Sequence, residues 1–365
     1  MSPVVNVAIV AVPPGFRNCT LSFVPLRKPG GTATMATLTT GLNHPRGLKF
    51  GPDGNLYVAE AGSGATPTTG GEICDTYKPH VFSPYFGRPT GGRISRIDPS
   101  SGNRVTVVDN LPTSVGTNKD GSNADAFGPA DVAFMGNTLY VLQAGAGCGH
   151  GVPSSTNGIY RINANGSHTL IADLGSWSVA HPGAHFEEDD YTPEGNWYSM
   201  VVDKDNFYAL EPNHGNFVKA GLNGNIQLVT DISATEGHIV PTALDYKGNF
   251  FVGNLGVFPI EGNSSIFKIT PSGNMKKIAT GFSAIVGLVV DKHSMYVLEL
   301  SSGSPFPGPK SGRIRKIDPN GTVEDVISGL NFPTAMTMGP DGNLYVSSFG
   351  FGPPFGQIVK VTLNN

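Results

Sequence analysis

Oxygen-bearing side chains recur in this sequence at positions where a cation or a polar ligand would need them. Glu60, Gln143, Glu211, Asn254, Glu299 and Ser348 each close a short apolar run of one kind: "LYVAE", "LYVLQ", "FYALE", "FFVGN", "MYVLE" and "LYVSS". Carboxylate, amide and hydroxyl oxygens brought together this way suit a hard cation such as Ca2+, or orient a ligand. The same groups would equally serve by hydrogen-bonding backbone of the adjacent blade, as most buried polar side chains bond to backbone or water. Asp131, with Asn196 and Glu211, forms the sort of set a metal-dependent hydrolase converges on its metal. Residues 181–197, "HPGAHFEEDDYTPEGNW", gather His181, His185, Glu187, Glu188, Asp189, Asp190 and Glu194. That run reads either as a cation site or as a solvated, charged loop. No HExxH, GxSxG or phosphate-loop motif is present, so no catalytic machinery is legible.

Positioning such residues requires a repeated element, and the sequence supplies one. "GPDGNLYV" occurs at 51–58 and again at 339–346. Weaker copies lie between: "GPADVAFMGNTLYVLQAG", "GNWYSMVVDKDNFYALEP", "VPTALDYKGNFFVGNLG" and "AIVGLVVDKHSMYVLEL". Each is two short apolar strands, A and B, around a tight polar turn. A second pair, C and D, follows each copy, as in "GRISRIDPSSGNRVTVVDNL" and "GRIRKIDPNGTVEDVISGL", with Gly and Asn at the turn. Four strands per unit and six units predict a six-bladed β-propeller of four-stranded blades.

The sixth unit ends at "GQIVKVTLNN" and lacks its fourth strand. Residues 36–42, "ATLTTGL", resemble the fourth strands at 105–111 and 170–174, so the N-terminal strand is expected to complete the last blade by pairing with 355–363. That closure removes the open sheet edges. The propeller then occupies 32–365, with 1–31 as an extension carrying two apolar strand-like runs, "VVNVAIVAV" and "CTLSFVPLR". Those strands would dock on protein or build a homo-oligomer, or the segment is an atypical export signal.

Aligned copies place Gly47, Asp131, Ser199, Ala243, Gly287 and Ala335 where the six A strands converge on the axis, with Asp131 the one charge among them. The A–B and C–D turns are short. The long segments, among them 61–91, 112–127, 144–157, 175–196, 255–263 and 301–311, are all B–C or D–A connections and fall on one face. Long loops on a rigid scaffold usually carry binding. That face is therefore the expected site for a ligand or a protein partner.

Net charge is −4 and no basic run appears, which argues against nucleic acid. No apolar stretch approaches a membrane span. Of the three cysteines, Cys74 and Cys148 fall in neighbouring B–C loops, where a disulfide fits an oxidising compartment, leaving Cys19 over. Glycosylation sequons stand at Asn18, Asn165, Asn263 and Asn320.

"LNHPRGLKFGPDGNLYVAEAGSG", "FGPADVAFMGNTLYVLQAGAG" and "VPTALDYKGNFFVGNLGVFP" together resemble the ScyD/ScyE family of propellers. The likeness runs in register through all six units, from about residue 36 to 365. The octapeptide alone is shared with NHL-type propellers and soluble sugar dehydrogenases. The resemblance implies export, to an extracellular or periplasmic location, and carries no agreed catalytic residues onto this chain. Three functions follow: an exported binding or assembly module; a Ca2+-dependent lactonase-like hydrolase or related propeller enzyme; or a structural subunit assembled through residues 1–31. A quinone enzyme would want a basic, His-lined pocket, whereas this face is acidic.

Overall fold

The computed structural model describes residues 33–65, 85–117, 123–187, 192–257, 259–303, 306–352 and 354–364. Short apolar runs separated by Gly/Asn turns fold as antiparallel strands, four to a blade. β1 (Ala33–Leu42) stands apart at the start. Blade one is β2 (Pro45–Phe50), β3 (Leu56–Glu60), β4 (Tyr85–Ile97) and β5 (Arg104–Thr117), with β6 (Asn123–Phe127) added to its edge. Blade two is β7 (Pro129–Met135), β8 (Thr138–Gln143), β9 (Gly158–Ile162) and β10 (His168–Asp173). Blade three is β11 (Ser199–Asp203), β12 (Asn206–Glu211), β13 (Asn216–Gly221) and β14 (Ile226–Asp231). Blade four is β15 (Pro241–Tyr246), β16 (Phe250–Asn254), β17 (Ser264–Ile269) and β18 (Met275–Phe282). Blade five is β19 (Ile285–Val290), β20 (Met295–Glu299), β21 (Gly312–Ile317) and β22 (Val323–Leu330). Blade six is β23 (Ala335–Met338), β24 (Leu344–Ser348), β25 (Gly356–Leu363) and, last, β1.

The chain is thus an all-β, six-bladed propeller, closed as the sequence predicts. β1 pairs antiparallel with β25 from Ala33 opposite Leu363 to Leu42 opposite Gly356, a longer closure than 36–42 alone. Residues 1–32, including the two N-terminal apolar runs, Asn18 and Cys19, lie outside the described residues.

The duplicated octapeptide makes the same turn twice. Gly54 and Gly342 take φ of +77° and +74°, a left-handed backbone that glycine adopts without strain. Asp53 accepts from the N–H of Asn55 at 3.1 Å and from Tyr57 Oη at 3.1 Å. Asp341 repeats both bonds with Asn343 at 3.2 Å and Tyr345 at 3.0 Å, and adds Lys360 at 2.8 Å. Burial pushes both carboxyls up. The bonds from Asn and Tyr, with Arg96 near Asp53 and Lys360 on Asp341, outweigh it and hold both below the usual range.

Each blade-to-blade interface holds its own apolar core. Leu48 and Val58 meet Leu42, Tyr345 and Ile358 between blades one and six, where Phe50 packs edge-on against Tyr345 at 5.0 Å. Ala59, Ile94 and Leu111 meet Val132 and Val141 between blades one and two. Trp197, Phe207 and Ala209 face Leu142 and Leu174 between blades two and three. The remaining interfaces are built the same way. No helix among the described residues is long and apolar enough to cross a membrane.

One connection differs from the simple loop expected at 112–127. β4 and β5 run on past the blade, pairing Tyr85 with Gly116 and Phe86 with Val115, and β6 returns beside β5. Ala65, Phe86 and Val115 form a small apolar cluster inside this extension. It carries Asp125 back toward the axis.

Candidate functional site

The six small positions converge as predicted. Gly47, Asp131, Ser199, Ala243, Gly287 and Ala335 all line a cavity of about 20 Å³ on the axis, room for roughly one water. A Cβ on Gly47 would sit 2.0 Å from Asp131 Oδ1, so only glycine fits there. Asp131 accepts from its neighbour Val132 N–H at 2.9 Å and, across the blade interface, from Met200 N–H at 2.9 Å. Burial pushes its carboxyl above the usual range, against the pull of Lys49 and of those two donors. Asp131 is therefore committed to joining blade two to blade three.

The ring at the ends of the B strands is likewise committed to backbone. Each member bonds the D–A connection leading into its own blade. Glu60 takes the N–H of Asn43 at 2.7 Å, and Gln143 donates to Pro112 carbonyl at 3.0 Å. Glu211 takes the N–H groups of Asn196 and His214 at 2.6 and 2.5 Å. Asn254 donates to Ile239 carbonyl at 2.9 Å, Glu299 takes Ser283 N–H at 2.8 Å, and Ser348 donates to Asn331 carbonyl at 2.6 Å. Glu299 also pairs with Arg313. All six are buried. They hold loops in place and line no cavity above the axis.

A Ca2+ site needs several oxygens turned toward one point. The oxygens of Asp131 and Glu211 are turned onto backbone N–H groups instead, and the described residues hold no group of three or more His, Cys, Asp or Glu able to hold a metal. The set Asp131, Asn196 and Glu211 therefore does not fit a metal. In the acidic loop, His181 stacks on Trp177 with ring centroids 4.4 Å apart, and His181, His185 and Glu187 are exposed. Glu188, Asp189 and Asp190 lie outside the described residues.

The larger opening is on the loop-rich face. A cavity of about 740 Å³ sits over the axis, within the range of small-molecule sites. Phe127, Trp197, Leu255, Ile260, Phe306 and Phe351 supply apolar wall. Asn196 reaches this cavity, and its side-chain oxygen meets the buried His150 ring at 2.6 Å. Burial lowers the His150 pKa.

The floor comes from one register position. Arg46, Ala130, Tyr198, Thr242, Val286 and Thr334 each stand immediately before a member of the small axial ring, and all six line the large cavity. In blades one, two, four and five a β-bulge falls at this point, between Pro45 and Leu48, Pro129 and Asp131, Pro241 and Ala243, and Ile285 and Gly287. A bulge re-aims a side chain that regular pleating would send elsewhere. Two residues ahead of the floor position the backbone is left-handed in four blades: His44, Val240, Ala284 and Phe332 have φ of 50°, 56°, 49° and 42°. Such conformations cost about 1–3 kcal/mol each and gather at binding sites.

The polar end of the floor is Arg46. Its Nη2 donates to Asp125 Oδ1 at 2.9 Å and to Ala126 carbonyl at 2.5 Å. Burial disfavours its charge, but Asp125 and Tyr198 outweigh that and raise its pKa. Tyr198 donates to Thr334 carbonyl at 2.8 Å, and burial pushes its hydroxyl up to about 12.

Cys148 is disulfide-bonded. Its predicted partner Cys74 lies outside the described residues. Asn165, Asn263 and Asn320 are exposed, and Asn18 lies outside the described residues.

Comparison with solved structures shows the fold. A Bacteroides thetaiotaomicron protein of unknown function aligns over 98% of this chain and 90% of its own, at 13% identity and a TM-score of 0.56. A luciferin-regenerating enzyme aligns over 90% and 95%, at 11% identity and 0.54. A gluconolactonase from Xanthomonas campestris aligns over 90% of each chain, at 11% identity and 0.52. The structural neighbours are six-bladed propellers of the NHL/SMP-30 type. No family model and no curated protein matches the sequence.

Proposed function

We propose that this propeller is a binding module that holds a small, largely apolar organic molecule in the cavity over its axis. The observation that carries this is the floor: six aligned residues, four of them at bulges, present one face to a cavity of about 740 Å³. The hydrolase reading borrows from the gluconolactonase-like neighbour and lacks support from the carboxylates on the axis, whose oxygens are bound to backbone. Assembly through residues 1–31 is a separate proposal, tested by removing that segment and measuring oligomeric state. An extracellular or periplasmic setting is supported by the disulfide at Cys148 and the exposed sequons, with Cys74 the proposed partner.

N-Phenyl-1-naphthylamine, an uncharged probe that fluoresces in apolar surroundings, tests the binding reading. It is expected to bind with one-site saturation. Val257→Trp, at an exposed position on the cavity rim, is expected to weaken it without lowering the melting temperature. Absence of saturable binding, or binding indifferent to Val257→Trp, overturns the proposal.

A further inference from the structure

The polar end of the cavity says which molecules it takes. Arg46 and Asp125 form an ion pair at 2.9 Å, with side chains 11% and 16% exposed, and both line the cavity. Asp125 Oδ1 accepts from Arg46 and from its own neighbour's N–H, Ala126, at 2.8 Å. Its Oδ2 makes no hydrogen bond among the described residues. The cavity thus presents a guanidinium donor and a carboxylate acceptor side by side, with their charges cancelled.

Resting on the binding reading above, we infer that this end selects an uncharged ligand group bearing an acceptor and a donor together, a carboxamide or lactam, and rejects the matching carboxylate. The carbonyl oxygen takes a bond from Arg46 while the N–H donates to Asp125 Oδ2. A carboxylate placed on Arg46 would stand within a few ångströms of the Asp125 carboxylate. The guanidinium charge that would offset this is already shared, so like-charge repulsion acts against it. Among the described residues, the only other Asp, Glu, Lys or Arg lining the cavity is Glu187, also an anion. The apolar remainder of the wall accepts the ligand's body but does not discriminate between acid and amide.

The test uses a matched pair, 1-naphthylacetamide and 1-naphthylacetate, each competing against N-phenyl-1-naphthylamine on the full chain at pH 7.5. The amide is expected to displace the probe at least about tenfold more strongly than the acid. Asp125→Asn removes the repelling charge and is expected to move the preference about tenfold toward the acid. The wild-type ratio stands as a test even where that variant fails to fold. Saturable probe binding with equal displacement by acid and amide, or stronger displacement by the acid, overturns this inference and leaves the binding reading intact. A folded Asp125→Asn variant with the wild-type ratio also overturns it. Failure of the probe to bind at all brings down the binding reading, and this one with it.

Discussion

Gly47→Ala probes the axis, where the packing is tightest. The added methyl would meet Asp131 Oδ1 at 2.0 Å, Cγ at 2.5 Å and Cα at 2.7 Å. All three are far inside van der Waals separation, so Asp131 must move. Moving it strains the β2–β7 approach, at about 1–3 kcal/mol for overpacking. It also breaks the bond from Asp131 to Met200 N–H across the interface, a charged hydrogen bond contributing about 1.5–3 kcal/mol. The single variant is therefore expected to lose about 3–5 kcal/mol. Asp131→Gly clears the two side-chain clashes and leaves the one with the main chain. In that background, Gly47→Ala should cost only about 1–2 kcal/mol more. Urea unfolding of the wild type, both single variants and the double variant closes the cycle. Additivity within about 0.5 kcal/mol would refute the reasoning, since residues that truly compete for one space must couple.

Removing residues 1–42 strips β1 from β25 and uncovers the apolar surface that Leu42 covers; a large loss of thermal stability is expected by circular dichroism, and an unchanged melting curve would contradict the closure. Gly342→Ala, at φ +74° with nothing within 4 Å of the new methyl, should cost about 1 kcal/mol from backbone strain alone, read by urea unfolding. For Asp341→Asn the sign follows from a depressed native pKa: the carboxylate stabilises the fold above its unfolded value near ~3.9 and loses that effect as pH falls through the lower native value. The stability gap between wild type and variant should be full at neutral pH and narrow in acid, and a gap that widens in acid contradicts the assignment. EDTA should leave the melting temperature unchanged, because the axial carboxylates are bound to backbone; a fall would show a cation held elsewhere.

Blades, closure and the axial ring were legible because each is written by repetition. Aligning six copies of "LYV"-like strands places Gly47 and Asp131 in one layer, and the residues found there in space are the same six. The B-strand ring was found at its right positions, but its partners were not, since Glu60 to Asn43 and Glu211 to Asn196 are bonds to loop backbone that leave no trace in side-chain pattern. Arg46 and Tyr198 were missed although the same alignment holds them, one position ahead of Gly47 and Ser199. Strand alternation would put adjacent residues on opposite faces; at Arg46 a bulge brings both layers to the axis, while Tyr198 stands just ahead of β11, outside that alternation. Asp125 was not legible at all. It arrives on β6, in a stretch read as loop, and its pairing with Arg46 spans 79 residues.

The closing seam also fixes how the molecule responds to force. Ala33 lies opposite Leu363, so the chain enters and leaves the described propeller at one corner of one sheet. Tension applied between the two ends would load the Ala33–Leu363 pair first and then each pair down to Leu42–Gly356 in turn. Bonds loaded one after another peel like a zipper, whereas bonds loaded in parallel resist together. The ring joined through six apolar interfaces should therefore open at low tension when held by its ends. A single-molecule pulling trace would show the seam yield first, as a short early step ahead of the blades.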